Sequence, residues 1–128
     1  MKALLPAALL ATLLAACTSM PGAAQRSQPT FSADGVMVGA NQMTLYTYAK
    51  DTKGSGQSEC YQQCAVNWPP ALVEGTDGPA GDFAVIVRTD GKRQWAYQGL
   101  PLYYFNQDAK AGDRNGDGRG GNWKVIRR

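Results

Sequence analysis

The 128-residue chain contains no histidine, and this absence removes the side chain that most often moves protons near neutral pH. A Ser–His or Cys–His hydrolase is excluded outright. Copper handling by exported thiols also wants a nearby imidazole, which the chain cannot supply. Cysteine is scarce, with only Cys17, Cys60 and Cys64. The C-x-x-C of a thioredoxin-like site and the C-x-x-C-H of a c-type haem are both missing. An excess of one charge is lacking too: 13 basic side chains face 10 acidic ones, Arg127-Arg128 is the only basic end, and no Lys/Arg stripe interleaves with aromatics. Nucleic acid therefore finds no electrostatic footprint. A carboxylate pair of glycosidase type survives in principle, but most acids sit in Gly-rich turns and no two are marked as partners. The reading is a protein that is not an enzyme.

Long hydrophobic runs are absent except for Ala3 to Ala16, which follows Met1-Lys2 and ends at Cys17. A charged start, an apolar stretch and a small-residue processing site describe an export signal. The run falls short of the roughly 20 residues that span a membrane. Leu14-Ala15-Ala16-Cys17 resembles the bacterial lipoprotein box, which implies that residues 1–16 are a signal peptide. Cys17 then carries lipid, palmitate included, and becomes the first mature residue. Each buried CH₂ of an acyl chain contributes about 0.8 kcal/mol, so several chains anchor firmly. Thr18, where Gram-negative lipoproteins retained in the inner membrane carry Asp, implies outer-membrane placement facing the periplasm. Residues 17–34 are rich in Pro, Gly, Ala, Ser and Gln and read as a flexible tether. Residues 35–128 suffice for one small domain. Loss of Lys2 with the signal leaves 12 basic against 10 acidic side chains.

With Cys17 used by lipid, Cys60 and Cys64 form an even pair in an oxidising compartment, which predicts a disulfide. Ser58 to Ala65 suits a short helix with Ser58 near the N-cap. A spacing of four then sets the two Cα atoms about 6 Å apart, within bridging range. So small a loop stabilises by at most about 2 kcal/mol in the loop-entropy model.

The remaining chain reads as strands. Gly35 to Val38 and Met43 to Tyr48 flank the turn-like Gly39 to Gln42 and predict a first hairpin. Phe83 to Arg88 predicts a buried strand, turned by Asp90-Gly91 into Gln94 to Tyr97. Gln98-Gly99 leads to Leu102 to Phe105, and Asn122 to Ile126 closes the chain. Short strands, frequent turns and scant helix predict a mainly β fold: a small single domain of short antiparallel strands built from two related halves, with one helical turn around Cys60 to Cys64.

The two halves are announced by repetition. Leu45-Tyr46-Thr47-Tyr48-Ala49-Lys50-Asp51 returns 57 residues later as Leu102-Tyr103-Tyr104-Phe105-Asn106-Gln107-Asp108, and Asn67-Trp68 returns as Asn122-Trp123. Alternation in a strand puts Tyr46 with Tyr48, and Tyr103 with Phe105, on one face, with Leu45 and Leu102 opposite. Asp51 and Asp108 then cap the following turns by accepting N–H bonds. A functional alternative makes Tyr46, Tyr48, Tyr103 and Phe105, with Trp68 or Trp95, a stacking platform for a sugar or peptide.

Tyr46/Tyr48/Asp51 and Tyr103/Phe105/Asp108 both fit Y-x-[FWY]-x-x-D. In this the chain resembles a family of bacterial lipoproteins with that motif, also described as a secreted repeat of unknown function. Cys60 to Pro70 and Gly112 to Gly118 resemble its other segments, so the likeness covers Val38 to Ile126 together with the lipoprotein box. It implies an exported, repeat-built, lipid-anchored domain, and it carries no activity, substrate or catalytic residue.

Asp113-Arg114-Asn115-Gly116-Asp117-Gly118 has the D-x-N-x-D-G spacing of a calcium loop, with Asp113, Asn115 and Asp117 as the candidate ligands. Its twelfth position is Lys124 in place of the bidentate Glu. A turn array with side-chain-to-backbone bonds is the competing account. Taken together, the residues predict a lipid-anchored cell-envelope protein without a cofactor. It acts as a non-catalytic binding or interaction module toward an envelope protein or glycan. A metal-binding (Ca or Cu) or thiol-redox envelope protein is the alternative.

Overall fold

The computed structural model describes residues 3–4 and 25–128, so Cys17 and its lipidation lie outside the described residues. In chain order the elements are β1 (Thr30–Phe31), β2 (Met37–Val38), β3 (Tyr46–Tyr48), α1 (Gln63–Asn67), β4 (Phe83–Val87), β5 (Arg93–Tyr97), β6 (Leu100–Pro101), a 3₁₀ turn (Arg119–Gly121) and β7 (Trp123–Val125). They pair antiparallel as β1-β2, β3-β7 and β4-β5-β6. Among the described residues the fold is mainly β, with one α-helical turn.

The β4–β5 hairpin forms where Asp-Gly chemistry predicts it. Gly91 takes φ 82°, Asp90 Oδ1 accepts the Lys92 N–H at 3.0 Å, and the ladder runs from Phe83↔Tyr97 to Val87↔Arg93. Gln98 and Gly99, both at positive φ, turn β5 tightly into β6. β4 is an edge strand rather than a buried one: Ala84 is exposed and Val87 is 63% exposed. Its apolar run reflects β propensity more than burial.

Period-two alternation at the repeated segments builds two cores at once. Leu45 and Leu102 point into one with Met37, Ala71, Val73 and Trp95. Their neighbours Tyr46 and Tyr103 point into the other with Cys60, Trp68, Phe105 and Trp123. Each fully buried large apolar side chain contributes about 1.5–3 kcal/mol. Between the cores the halves meet about an approximate two-fold axis. Tyr46 N–H donates to Tyr103 C=O at 2.8 Å, and Tyr103 N–H donates back to Tyr46 C=O at 3.0 Å. Outward from there the bonds recur in pairs: Ala49 N–H to Asn122 C=O (2.7 Å) with Asn106 N–H to Asn67 C=O (2.9 Å). Met37 N–H to Ile126 C=O (2.9 Å) likewise answers Trp95 N–H to Ala71 C=O (2.8 Å).

Several elements depart from the sequence expectation. Residues 25–34 do not behave as tether. β1 pairs with β2, Gln25 exchanges hydrogen bonds with the Gly78 backbone, and Asp34 pairs with Arg114. Asp77 accepts the N–H groups of Arg26 and Ser27 and the Ser27 hydroxyl. The segment's composition is poor in apolar area, but Phe31 packs against the Leu45 core and Tyr97, and hydrogen bonds hold the rest. The first hairpin is reduced to a Val38↔Thr44 bridge, because β3 pairs with β7. Leu102 to Phe105 holds bridges at Tyr103 only, its strand being β6 just before. The helix starts at Gln63, not Ser58, since Gln62 takes φ 54°.

Candidate functional site

The repeated motif closes on itself across the axis. Tyr46 O–H donates to Asp108 Oδ2 at 2.6 Å, and Tyr103 O–H donates to Asp51 Oδ2 at 2.6 Å. Each tyrosine thus uses the other half's aspartate. The second carboxylate oxygens do cap backbone: Asp51 Oδ1 accepts the Glu59 N–H at 2.7 Å, and Asp108 Oδ1 accepts the Asn115 N–H at 3.0 Å. These lie 8 and 7 residues on, too far for the Asx turns the sequence suggests. Burial first, then the facing carboxylate, pushes both phenols well above their ordinary range. Burial also raises Asp51, against the lowering pull of its bonds from Tyr103 and Glu59.

Behind this lock lies a palindromic stack of rings in the order Tyr48, Trp123, Trp68, Phe105. Successive centroids are 4.2, 3.8 and 4.3 Å apart, with the two tryptophans within 4° of parallel. The rings come alternately from the first and second halves. Gly116 lets the loop cross them, since a Cβ there would lie 2.7 Å from Trp68 and 3.0 Å from Tyr46. Tyr46 and Tyr103 are fully buried, Phe105, Trp68 and Trp123 nearly so, and Tyr48 is half-buried. The stacking platform is therefore corrected: the motif rings spend their faces on one another. Trp95 sits in the other core.

A buried polar network extends from one lock, and the sequence does not announce it. Ser58 lies 2.7 Å from the Tyr103 hydroxyl and accepts from Arg88, whose guanidinium also donates to Gln94 Oε1 and the Cys60 carbonyl, both at 2.7 Å. Arg88 is 4% exposed and covers the Tyr61 ring at 4.4 Å. Its only sequence signal is an arginine ending an apolar run. The Cys60–Cys64 disulfide is present with Cα atoms 5.2 Å apart. Cys60 precedes α1, however, so the bridge links chain to helix rather than two residues of one helix face.

The candidate calcium ligands diverge. Asp113 accepts the Ala109 and Lys110 N–H groups, Asn115 Nδ2 donates to Asp108, and Asp117 accepts the Val125 N–H and lies 3.9 Å from Arg127. Each serves the loop. Among the described residues no cluster of three or more Asp, Glu, Cys or His is placed to hold a metal.

Beside the stack lies a hollow of about 280 Å³ lined by Trp68, Trp123 and Phe105 and by Asn67, Asn106, Gln107 and Asn122, with Arg119 lying over Phe105 at 5.1 Å. Carboxamides both donate and accept and aromatic rings supply apolar contact, so such a lining suits polar, hydroxyl-bearing molecules. Among the described residues no helix is long and apolar enough to cross a membrane. A family model described as a secreted repeat of unknown function matches residues 31–72 and 84–127, one stretch in each half. No curated protein and no solved structure matches the chain.

Proposed function

We propose that this chain, which belongs to the family of secreted repeats of unknown function, is a lipid-anchored, non-catalytic interaction module of the cell envelope that engages glycan through the carboxamide hollow. One observation carries the reading: the first tyrosine hydroxyl and the aspartate carboxylate of each repeated motif are engaged within the fold. The motif then builds the domain, and the polar hollow beside its ring stack does the binding. Lipid on Cys17 anchors the domain, and Thr18 directs it to the outer membrane facing the periplasm.

Two measurements test the two parts. Wild-type chain incorporates a palmitate analogue, whereas Cys17→Ser incorporates none; a labelled Cys17→Ser chain sinks the anchor. For binding, the probe is an N-acetylglucosamine tetrasaccharide, followed by intrinsic Trp fluorescence because Trp68 and Trp123 line the hollow. Saturable quenching is expected, weakened about tenfold by Asn67→Ala with Gln107→Ala. A flat titration removes the glycan reading and leaves the anchor standing.

A further inference from the structure

A second hollow, of about 490 Å³, opens against β7 and the β5–β6 turn, away from the carboxamide site. Its floor is apolar, with half-buried Tyr97 and Leu100, and four exposed cations, Lys53, Lys124, Arg127 and Arg128, stand at its rim. Among the described residues no Asp or Glu side chain lines it, and Asp117 lies 3.9 Å from Arg127 at the rim. The volume is that of a small-molecule pocket, about 300–1,000 Å³.

The cations arrive from three separate segments, each fixed by backbone. Lys53 is brought in by the Gly54 N–H, which donates to Gly99 C=O at 2.8 Å. That approach requires glycine, since a Cβ at Gly99 would lie 2.9 Å from Gly54 N. Lys124 sits on β7 opposite Thr47. Arg128 is held by its N–H to Gly35 C=O at 2.9 Å, with its guanidinium over Phe31 at 5.6 Å. Arg127 is answered by Asp117, whereas Lys53, Lys124 and Arg128 make no ion pair among the described residues. Their like charges meet at one opening, where an anionic group is electrostatically favoured.

We propose that this hollow binds a single anionic amphiphile, its phosphate-bearing head between the cations and its short acyl tail on the Tyr97–Leu100 floor. Guanidinium and ammonium groups recognise phosphate through charge-assisted hydrogen bonds. Burial of the tail against the apolar floor adds hydrophobic stabilisation that a bare headgroup lacks. A free phosphate would leave the floor wet, and a nucleic acid needs a longer basic track than this local rim. The inference stands apart from the glycan reading and from the anchor.

The test uses the full chain carrying Cys17→Ser, followed by amide NMR during titration with dihexanoyl phosphatidic acid below its micelle concentration. Inorganic phosphate and dihexanoyl phosphatidylcholine form the comparison arms. Saturable shifts at Leu100, Val125 and Ile126 are expected, with both comparison ligands at least about tenfold weaker. Raising salt from about 0.05 to 0.5 M weakens binding severalfold. Lys53→Ala with Lys124→Ala weakens it at least about tenfold while the near-ultraviolet Trp signal is retained. Absence of saturable shifts overturns the proposal, as does phosphate or phosphatidylcholine matching phosphatidic acid, or a folded double variant binding like wild type.

Discussion

At the scale of residues, the two Tyr–Asp locks decide how single substitutions behave. Tyr103→Phe leaves Asp51 and Ser58 short of a buried partner, and unmet buried polar groups cost about 1–3 kcal/mol. Urea unfolding should show that loss, and Tyr46→Phe a smaller one, because Asp108 keeps its Asn115 bonds and is half-exposed. The locks also set pH dependence. Burial raises Asp51, so in the window above the ordinary carboxylate pKa the folded chain binds more protons than the unfolded one, and stability from this group falls as pH rises. Asp77 is lowered by its hydroxyl and backbone donors, so its contribution is present above the ordinary value and is lost as pH falls through the folded one. Unfolding measured from about pH 3 to 7 should therefore separate the two. The penalty of Asp51→Asn shrinks as pH rises, and that of Asp77→Asn grows. Parallel trends would refute the assignment.

At the scale of elements, the Gly116 crossing and the disulfide turn do the same job in opposite halves. Each packs chain against the aromatic cluster, one with an uncrowded backbone and the other with a covalent link. Gly116→Ala forces a methyl against the six-membered-ring edge of Trp68, and overpacking of this kind costs about 1–3 kcal/mol. The loss appears as a lower thermal midpoint with a shifted near-ultraviolet Trp band. Replacing Cys60 and Cys64 together by Ala should cost at most about 2 kcal/mol, given the short loop. Hydrogen exchange localises that effect: the Val66 and Trp68 amides of α1, bonded to Gln62 and Cys64, exchange faster while the β4–β5 ladder does not. Turn chemistry made the β4–β5 hairpin legible, because Asp90-Gly91 acts over a few residues. It could not reveal that β3 would leave its neighbour and pair with β7, 75 residues on, since that choice is decided by packing of the ring stack.

At the scale of the whole molecule, each half supplies alternate members of the stack and one partner of each lock. Neither half therefore has a core of its own. Fragments spanning residues 25–78 and 79–128 should each lack near-ultraviolet Trp signal and regain it on mixing, with a concentration-dependent midpoint. A structured single fragment would show that the interlock is dispensable. The repeat offset, the Leu/Tyr alternation and the paired cysteines were readable beforehand because each depends on spacing along the chain. By contrast, Arg88 and Ser27 could not be recognised as buried, because their partners Ser58, Gln94 and Asp77 lie 6 to 50 residues away.

The amino-acid sequence by itself determined that this is a short-stranded β domain of two related halves, carrying a repeated motif of aromatic residues followed by aspartate. Those features follow from local propensity and period. Only the tertiary structure decided that each tyrosine reaches across to the other half's aspartate, that the rings interleave and bury their faces, and that cations from three segments gather at one hollow. The physical reason is the same in each case. A period along a strand settles which face a side chain takes, but which partner waits on that face is settled by how distant segments pack.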